Sequence, residues 1–421
     1  MPAELTPLPP GPVSLMSARG APDLGAAGWT ETEYVVRGTA TSLAGKTADF
    51  ATRAVLRRPA HPAAASGTLV AEWFNVSSGQ DAAPGWTYLE AELLRAGHAW
   101  LGVSAQHVGV EGGGGSVDTG LGSPGLKGND PDRYRDLHHP GDTFMYDVFR
   151  RTVAALDLDV RVRLATGESQ SAVALTTYVN EVQPAAPLFD GFLVHSRAGA
   201  AAPLDPGRAL SMDEVLRGDP VRIRDDLDVP ALVVVTEGDL FDRIGFLPAR
   251  QPDTDRLRLW EVAGSAHADR YVVGEFEELL GCAVPVNRGQ QRFVLRAALR
   301  HLDRWARGGD PPPAAPPLAT ATDGFAHDEV GNVRGGVRTP VVDAPVEVLS
   351  GRPWPGASVA CRLFGSTTEL TSDELVQRYR DRAGYLTAYE RATDAAISSG
   401  FVLPEDREEV LADARPDLLP R

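Results

Sequence analysis

The stretch Gly167, Glu168, Ser169, Gln170, Ser171 sets a serine between an apolar run, Val160 to Thr166, and a helically patterned segment, Gln170 to Asn180. A serine at such a strand-to-helix corner stands at the carboxyl edge of a sheet, over a helix N-terminus, where its hydroxyl can attack an electrophilic carbon. The corner is tight and needs small residues two places before and two places after the serine. Gly167 meets the first requirement, and Ser171 stands where glycine is usual. Without chemistry, Ser169 would be a plain helix cap.

A hydroxyl is a weak nucleophile until a base removes its proton, so the corner demands a histidine downstream and a carboxylate to orient it, in the order serine, acid, histidine. Of the 9 histidines, His267 alone lies downstream of an acidic loop and follows a strand-like run (Arg256 to Val262) within small residues, Ala263 to Ala266. Its neighbours Asp269 and Arg270 would equally suit a surface loop. The acid falls in the loop after Ala231 to Thr236: Asp239 is favoured, Glu237 is the alternative, and Asp242 reads as a solvated or capping charge. Acyl transfer also needs donors for a developing oxyanion. Gln170 provides the N–H after the nucleophile, and Asn75 or Val76, in the loop after Thr68 to Phe74, a second. His195, Arg197 and Glu168 are placed at the substrate pocket, with packing as the other reading of His195. His138 and His139 fall near its mouth, in the polar excursion Leu126 to Phe149, where Asp142 reads as a helix cap.

The elements that must hold these residues alternate. Thr68 to Phe74 and His98 to Ser104 are short apolar runs separated by a helical pattern, Trp86 to Arg95, which implies a crossover and a parallel sheet. The series continues with a helix over Thr143 to Leu156, strands over Val160 to Thr166, Asp190 to His195, Ala231 to Thr236 and Arg256 to Val262, and a helix over Arg292 to Trp305. Glu33 to Gly38 and Phe50 to Arg57 carry the alternation of antiparallel strands. The expected architecture is α/β, a mostly parallel central sheet flanked by helices, with N-terminal antiparallel strands and a C-terminal helical extension. Residues 1–307 form the core, 308–318 a Pro-rich linker, and 319–421 an extension that packs on the core or covers the site, its helical pattern running from Ser372 to Gly400.

A chain of 421 residues with a formal charge of −16 offers little to a phosphate backbone, so nucleic acid is excluded as a partner. The start of the chain lacks a secretory pattern and no apolar run spans a membrane, which leads to a cytoplasmic expectation and no membrane partner. Cys282 and Cys361 are too few for a disulfide scaffold or a zinc site, though they can form one bridge. The expected chemistry needs no metal or organic cofactor, and the expected partner is a small-molecule ester. The oligomeric state is not readable.

With these residues placed, the chain resembles the α/β-hydrolase superfamily, and more narrowly a bacterial family described only as alpha/beta hydrolase domain-containing. The matching pieces are VAEWFNVSSGQDAAPGW, LGVSAQHVGV, DPDRYRDLHHPGDTFMYDVF, TGESQSA, FLVHSRAG, VVVTEGDLFD, GNVRGGVRTP and CRLFGSTTEL. In that family serine is common at the place of Ser171. The resemblance implies a triad of Ser169, Asp239 or Glu237, and His267, with ester hydrolysis through an acyl-enzyme as the default. An acyltransferase, cyclase or lyase would use the same residues, and a non-catalytic binding protein would keep only the pocket.

Overall fold

The computed structural model describes residues 3–17, 23–116, 122–322, 324–358 and 360–420. Nine strands form one sheet: β1 (Glu4–Pro7), β2 (Trp29–Thr41), β3 (Thr47–Pro59), β4 (Thr68–Trp73), β5 (Ala99–Val103), β6 (Val162–Glu168), β7 (Gly191–His195), β8 (Ala231–Thr236) and β9 (Leu257–Val262). Their spatial order is β1-β2-β3-β5-β4-β6-β7-β8-β9. From β5 to β9 every pairing is parallel, and the N-terminal strands join antiparallel through β3 and β5. The chain runs one way from β4 to β5 and the other way from β6 onward, which opens a crevice at the carboxyl ends of β4 and β6.

Strands β4, β5, β7 and β8 are buried along their whole length, so both faces of the sheet need cover. On one face lie α1 (Pro84–Ala96) and α4 (Gln291–Ala306), which pack Trp86, Leu89, Leu93, Leu295, Leu299 and Leu302 against Val70, Leu193 and Val234. On the other face α2 (Met145–Ala154) and α3 (Gln170–Thr177) bury Met145, Phe149, Val173 and Leu175 against Ala71, Ala165 and Phe192. Glu72 turns its carboxylate to the start of α1, where the N–H groups of Gly85 and Trp86 donate to it at 2.8 and 2.7 Å. A Cβ on Gly85 would meet that carboxyl at 2.7 Å, so only glycine lets the helix begin there.

The expected elements recur with shifted ends. The single helical pattern Ser372 to Gly400 is two helices, α5 (Ser372–Tyr379) and α6 (Arg382–Ser398). The break falls at Arg380, whose φ is 70°, and Asp381 then caps α6 by accepting from Gly384 N–H at 2.9 Å. The sequence reading missed β1 and a hairpin of β10 (Glu347–Ser350) with β11 (Ser366–Glu369). The Pro-rich stretch after α4 lies along β9: Trp260 Nε1 donates to Pro313 O at 2.8 Å and Arg258 Nε to Pro312 O at 3.0 Å. Beyond it Val337 pairs with the β9 edge, accepting from Ala263 N–H at 3.0 Å and donating to Glu261 O at 2.7 Å.

Cys282 and Cys361, 79 residues apart, are joined by a disulfide. A cross-link closing a loop of that length removes freedom from the unfolded chain. Replacing both cysteines by serine is expected to cost about 2 to 4 kcal/mol in urea unfolding. An unchanged midpoint would mean that the bond contributes nothing to the native state.

Candidate active site

β6 ends at Glu168, α3 begins at Gln170, and Ser169 between them has φ 57° and ψ −116°, a conformation costly for any side chain. The neighbours impose it. Ser169 N–H donates to His195 O at 3.0 Å, and Ser169 O accepts from Val173 N–H at 3.1 Å. A Cβ at Gly167 would crowd the Ser171 backbone at 3.0 Å, so that place favours glycine. Ser171, which stands where glycine is usual, uses its hydroxyl across the turn: Oγ accepts from Glu168 N–H at 3.0 Å and donates to Glu168 O at 2.9 Å.

The loops after β8 and β9 bring the acid and the histidine to this corner. His267 Nε2 lies 2.7 Å from Ser169 Oγ, and His267 Nδ1 lies 2.5 Å from Asp239 Oδ1. The other carboxylate oxygen of Asp239 accepts from Thr236 N–H at 2.6 Å and Thr236 Oγ1 at 2.9 Å. Burial alone would raise the Asp239 carboxyl, but the charge and hydrogen bond of His267 hold it below the ordinary range. Burial would likewise lower the His267 imidazole, and the charge of Asp239, with a smaller contribution from Glu168, lifts it above its ordinary value.

Glu237 serves elsewhere. Its oxygens accept from Gly264 N–H at 3.0 Å and Gly351 N–H at 2.8 Å, tying the β9 loop to the C-terminal hairpin, and burial pushes its carboxyl up to about 7. Gly351 sits so close that a Cβ there would meet Gly238 N and Ser265 O at 2.4 Å.

The expected oxyanion residues need correction in part. Asn75 N–H is committed to Ala82 O at 3.0 Å, and its side-chain amide donates to Glu168 O and Oε2, both at 3.0 Å. Val76 N–H faces the Gln170 side chain, donating to Oε1 at 3.3 Å, a weak bond that a better acceptor would replace. Gln170 is held by donating from Nε2 to Gln106 Oε1 at 2.7 Å, the same oxygen that accepts from Trp73 Nε1 at 3.1 Å. Gln106 had no expected role.

Of the three expected pocket residues, Glu168 alone lines the cavity, with Oε1 3.8 Å from His267 Nε2. Burial pushes its carboxyl up to about 7. His195 lies behind the site, stacked edge-on to Tyr88 and bonded to Gln291 Oε1 at 3.1 Å. Arg197 is buried among carbonyls, donating to Ala198 O at 3.0 Å and Gly199 O at 3.1 Å. Both lose the pocket role because their side chains are spent on backbone and packing. His139 is buried on Ala105 O and His138 is exposed; neither lines the cavity. Asp142 is a brace between loops, accepting from His107 and Leu210 N–H at 2.7 Å each, where a helix cap was expected.

Sequence reasoning also missed the support of the His267 loop. Gln291 Nε2 donates to Ala266 O at 3.1 Å and to Asp269 Oδ2 at 3.0 Å, and Tyr88 OH donates to Asp269 Oδ1 at 3.1 Å. Asp269 is fully buried and caps the short helix Arg270–Val273. An aspartate three residues before the β-branched pair Val272 and Val273, in the place of a helix cap, was the available signal. Above Ser169 and His267 opens a cavity of about 380 Å³, walled by Met212, Leu216, Ile244, Val272, Leu280 and Phe364.

The family described as alpha/beta hydrolase domain matches residues 4–412. No curated protein matches the chain. Among solved structures, an α/β serine hydrolase without a lid from Xanthomonas campestris is 12% identical, covering 64% of this chain and 94% of its own, with a TM-score of 0.36. Est1E from Butyrivibrio proteoclasticus, solved with ferulic acid bound, is 14% identical over 60% of this chain and 96% of its own, with a TM-score of 0.35. Prolyl oligopeptidase B from Galerina marginata is 12% identical over 51% of this chain, with a TM-score of 0.29, and the match covers 29% of that longer chain. The family match spans nearly the whole sequence, and the protein belongs to the alpha/beta hydrolase domain family.

Proposed function

We propose that the protein is a serine hydrolase that cleaves a carboxylic ester through an acyl-enzyme. The observation that carries this reading is the hydrogen-bonded line from Ser169 Oγ through His267 to Asp239. His267 takes the Ser169 proton as the oxygen attacks the ester carbonyl, and Asp239 fixes the tautomer that leaves Nε2 free to accept it. The oxyanion meets Gln170 N–H and Val76 N–H, the latter exchanging its weak bond to the Gln170 side chain for the stronger acceptor. His267 then protonates the leaving alkoxide. It next draws a proton from water, and the resulting attack releases the acid and restores Ser169.

Ser169→Ala and His267→Ala are each expected to lower kcat for 4-nitrophenyl esters by about 10⁴-fold or more. Asp239→Asn should cost about 10³ to 10⁴, because an amide favours the wrong tautomer. Glu237→Ala strands two buried N–H groups and is expected to lose about 2 to 3 kcal/mol of stability. Its kcat should stay within a few-fold of wild type. The opposite pattern, with Glu237 controlling kcat and Asp239 only stability, would exchange the two acids.

Only neutral imidazole can accept the proton, so kcat/KM should rise with pH through the pKa of His267, which is raised above that of an ordinary imidazole. Glu168 favours the imidazolium, and Glu168→Gln is expected to move that acid limb to lower pH. A pH–rate profile that does not shift would remove Glu168 from the electrostatics of the base.

A further inference from the structure

We infer that the ester accepted by this site is uncharged and carries an apolar group of medium chain length, seated in the cavity beside Ser169. The inference rests on the hydrolase reading and adds the substrate class. Met212, Leu216 and Ile244, from the main core, and Val272, Leu280 and Phe364, from a smaller one, line the cavity. The volume of about 380 Å³ accommodates roughly a dozen groups the size of a water molecule.

Charge is nearly absent from this space. Among the described residues that line it, Glu168 and Arg243 alone are acidic or basic, apart from His267. Arg243 is partly exposed and paired with Asp213 at 3.2 Å. Glu168 is occupied by Asn75 on Oε2 and faces His267 from Oε1, which leaves no free anion for a cationic substrate. A carboxylate or ammonium on the substrate would lose its hydration among apolar side chains, with only Arg243 and Glu168, each already engaged, as charged neighbours.

The apolar wall is also fixed in place. Val273, Val286 and Phe364 form a small core with Leu280, Cys282 and Ala360 at its edge, and the Cys282–Cys361 bond joins the two segments that contribute it. Ala268 N–H donates to Leu363 O at 3.0 Å, so this wall hangs directly from the loop that carries His267. Leu279 at the rim is 79% exposed and continues the apolar surface outwards.

The test measures kcat/KM for two ester series, 4-nitrophenyl alkanoates and alkyl acetates, from two to ten carbons. Matched esters ending in a carboxylate or a trimethylammonium are assayed beside them, with fluorophosphonate labelling of Ser169 as the control. At least one series should climb roughly fourfold per methylene until the cavity fills, the value of burying one CH₂. Both charged esters should fall at least tenfold below the neutral ester of equal length. In Leu216→Lys the ratio of anionic to neutral ester should rise, a ratio that does not depend on the amount of folded protein. Flat or falling series, or charged esters that match the neutral one, with Ser169 still labelled, would overturn the substrate class alone. Absence of both labelling and turnover would overturn the hydrolase reading and this inference with it.

Discussion

The positive φ of Ser169 is the constraint on which the site depends. A side chain held there costs on the order of 1 to 3 kcal/mol, and the conformation persists only where the surroundings over-determine it. Those surroundings are the parallel neighbour β7, whose His195 carbonyl takes the serine N–H, and helix α3, which starts at once and takes the serine carbonyl. The turn also explains its flanking residues. A Cβ at Gly167 would crowd the Ser171 backbone, and Ser171 fits because its hydroxyl bonds the backbone of Glu168.

Burial then sets the electrostatics. Asp239 and His267 are both fully withdrawn from water, where each alone would be driven toward its neutral form. Their mutual charge reverses that tendency, lowering the acid and raising the base. At Glu168, Glu237 and Asp269 burial outweighs the neighbouring charges and hydrogen bonds, and their carboxyls stand at about 7, 7 and 6. The site thus sets one mutually stabilised acid and base among buried carboxyls that titrate near neutral pH. Two of those, Glu237 and Asp269, do structural work by holding the loops that present Asp239 and His267.

Much of this was legible in the sequence because it depends on local rules. Short apolar runs marked β4 and β5, the strand–helix alternation that follows marked β6 to β9, and Gly167 and Ser171 flanking a serine between strand and helix marked Ser169. The choice between Asp239 and Glu237 was not legible, since both lie in one short loop and only the three-dimensional course of the C-terminal hairpin gives Glu237 its own partners, Gly264 and Gly351. His195 and Arg197 misled for a related reason: a polar residue at a strand end reads as a site residue until its neighbours are known. The cavity walls were invisible because they come from segments far apart in the chain, Met212 to Leu216, Val272 to Leu280 and Ala360 to Phe364. Asp269 looked like surface charge, yet Tyr88 and Gln291 close over it.

The most direct test of the central claim is peptide mapping by mass spectrometry after reaction with a fluorophosphonate, in wild type and His267→Ala. An activated Ser169 gives one adduct per chain, on the peptide containing it, formed fast in wild type and at least a hundredfold slower without His267. An adduct on another residue, or equal rates in both proteins, would contradict an activated Ser169.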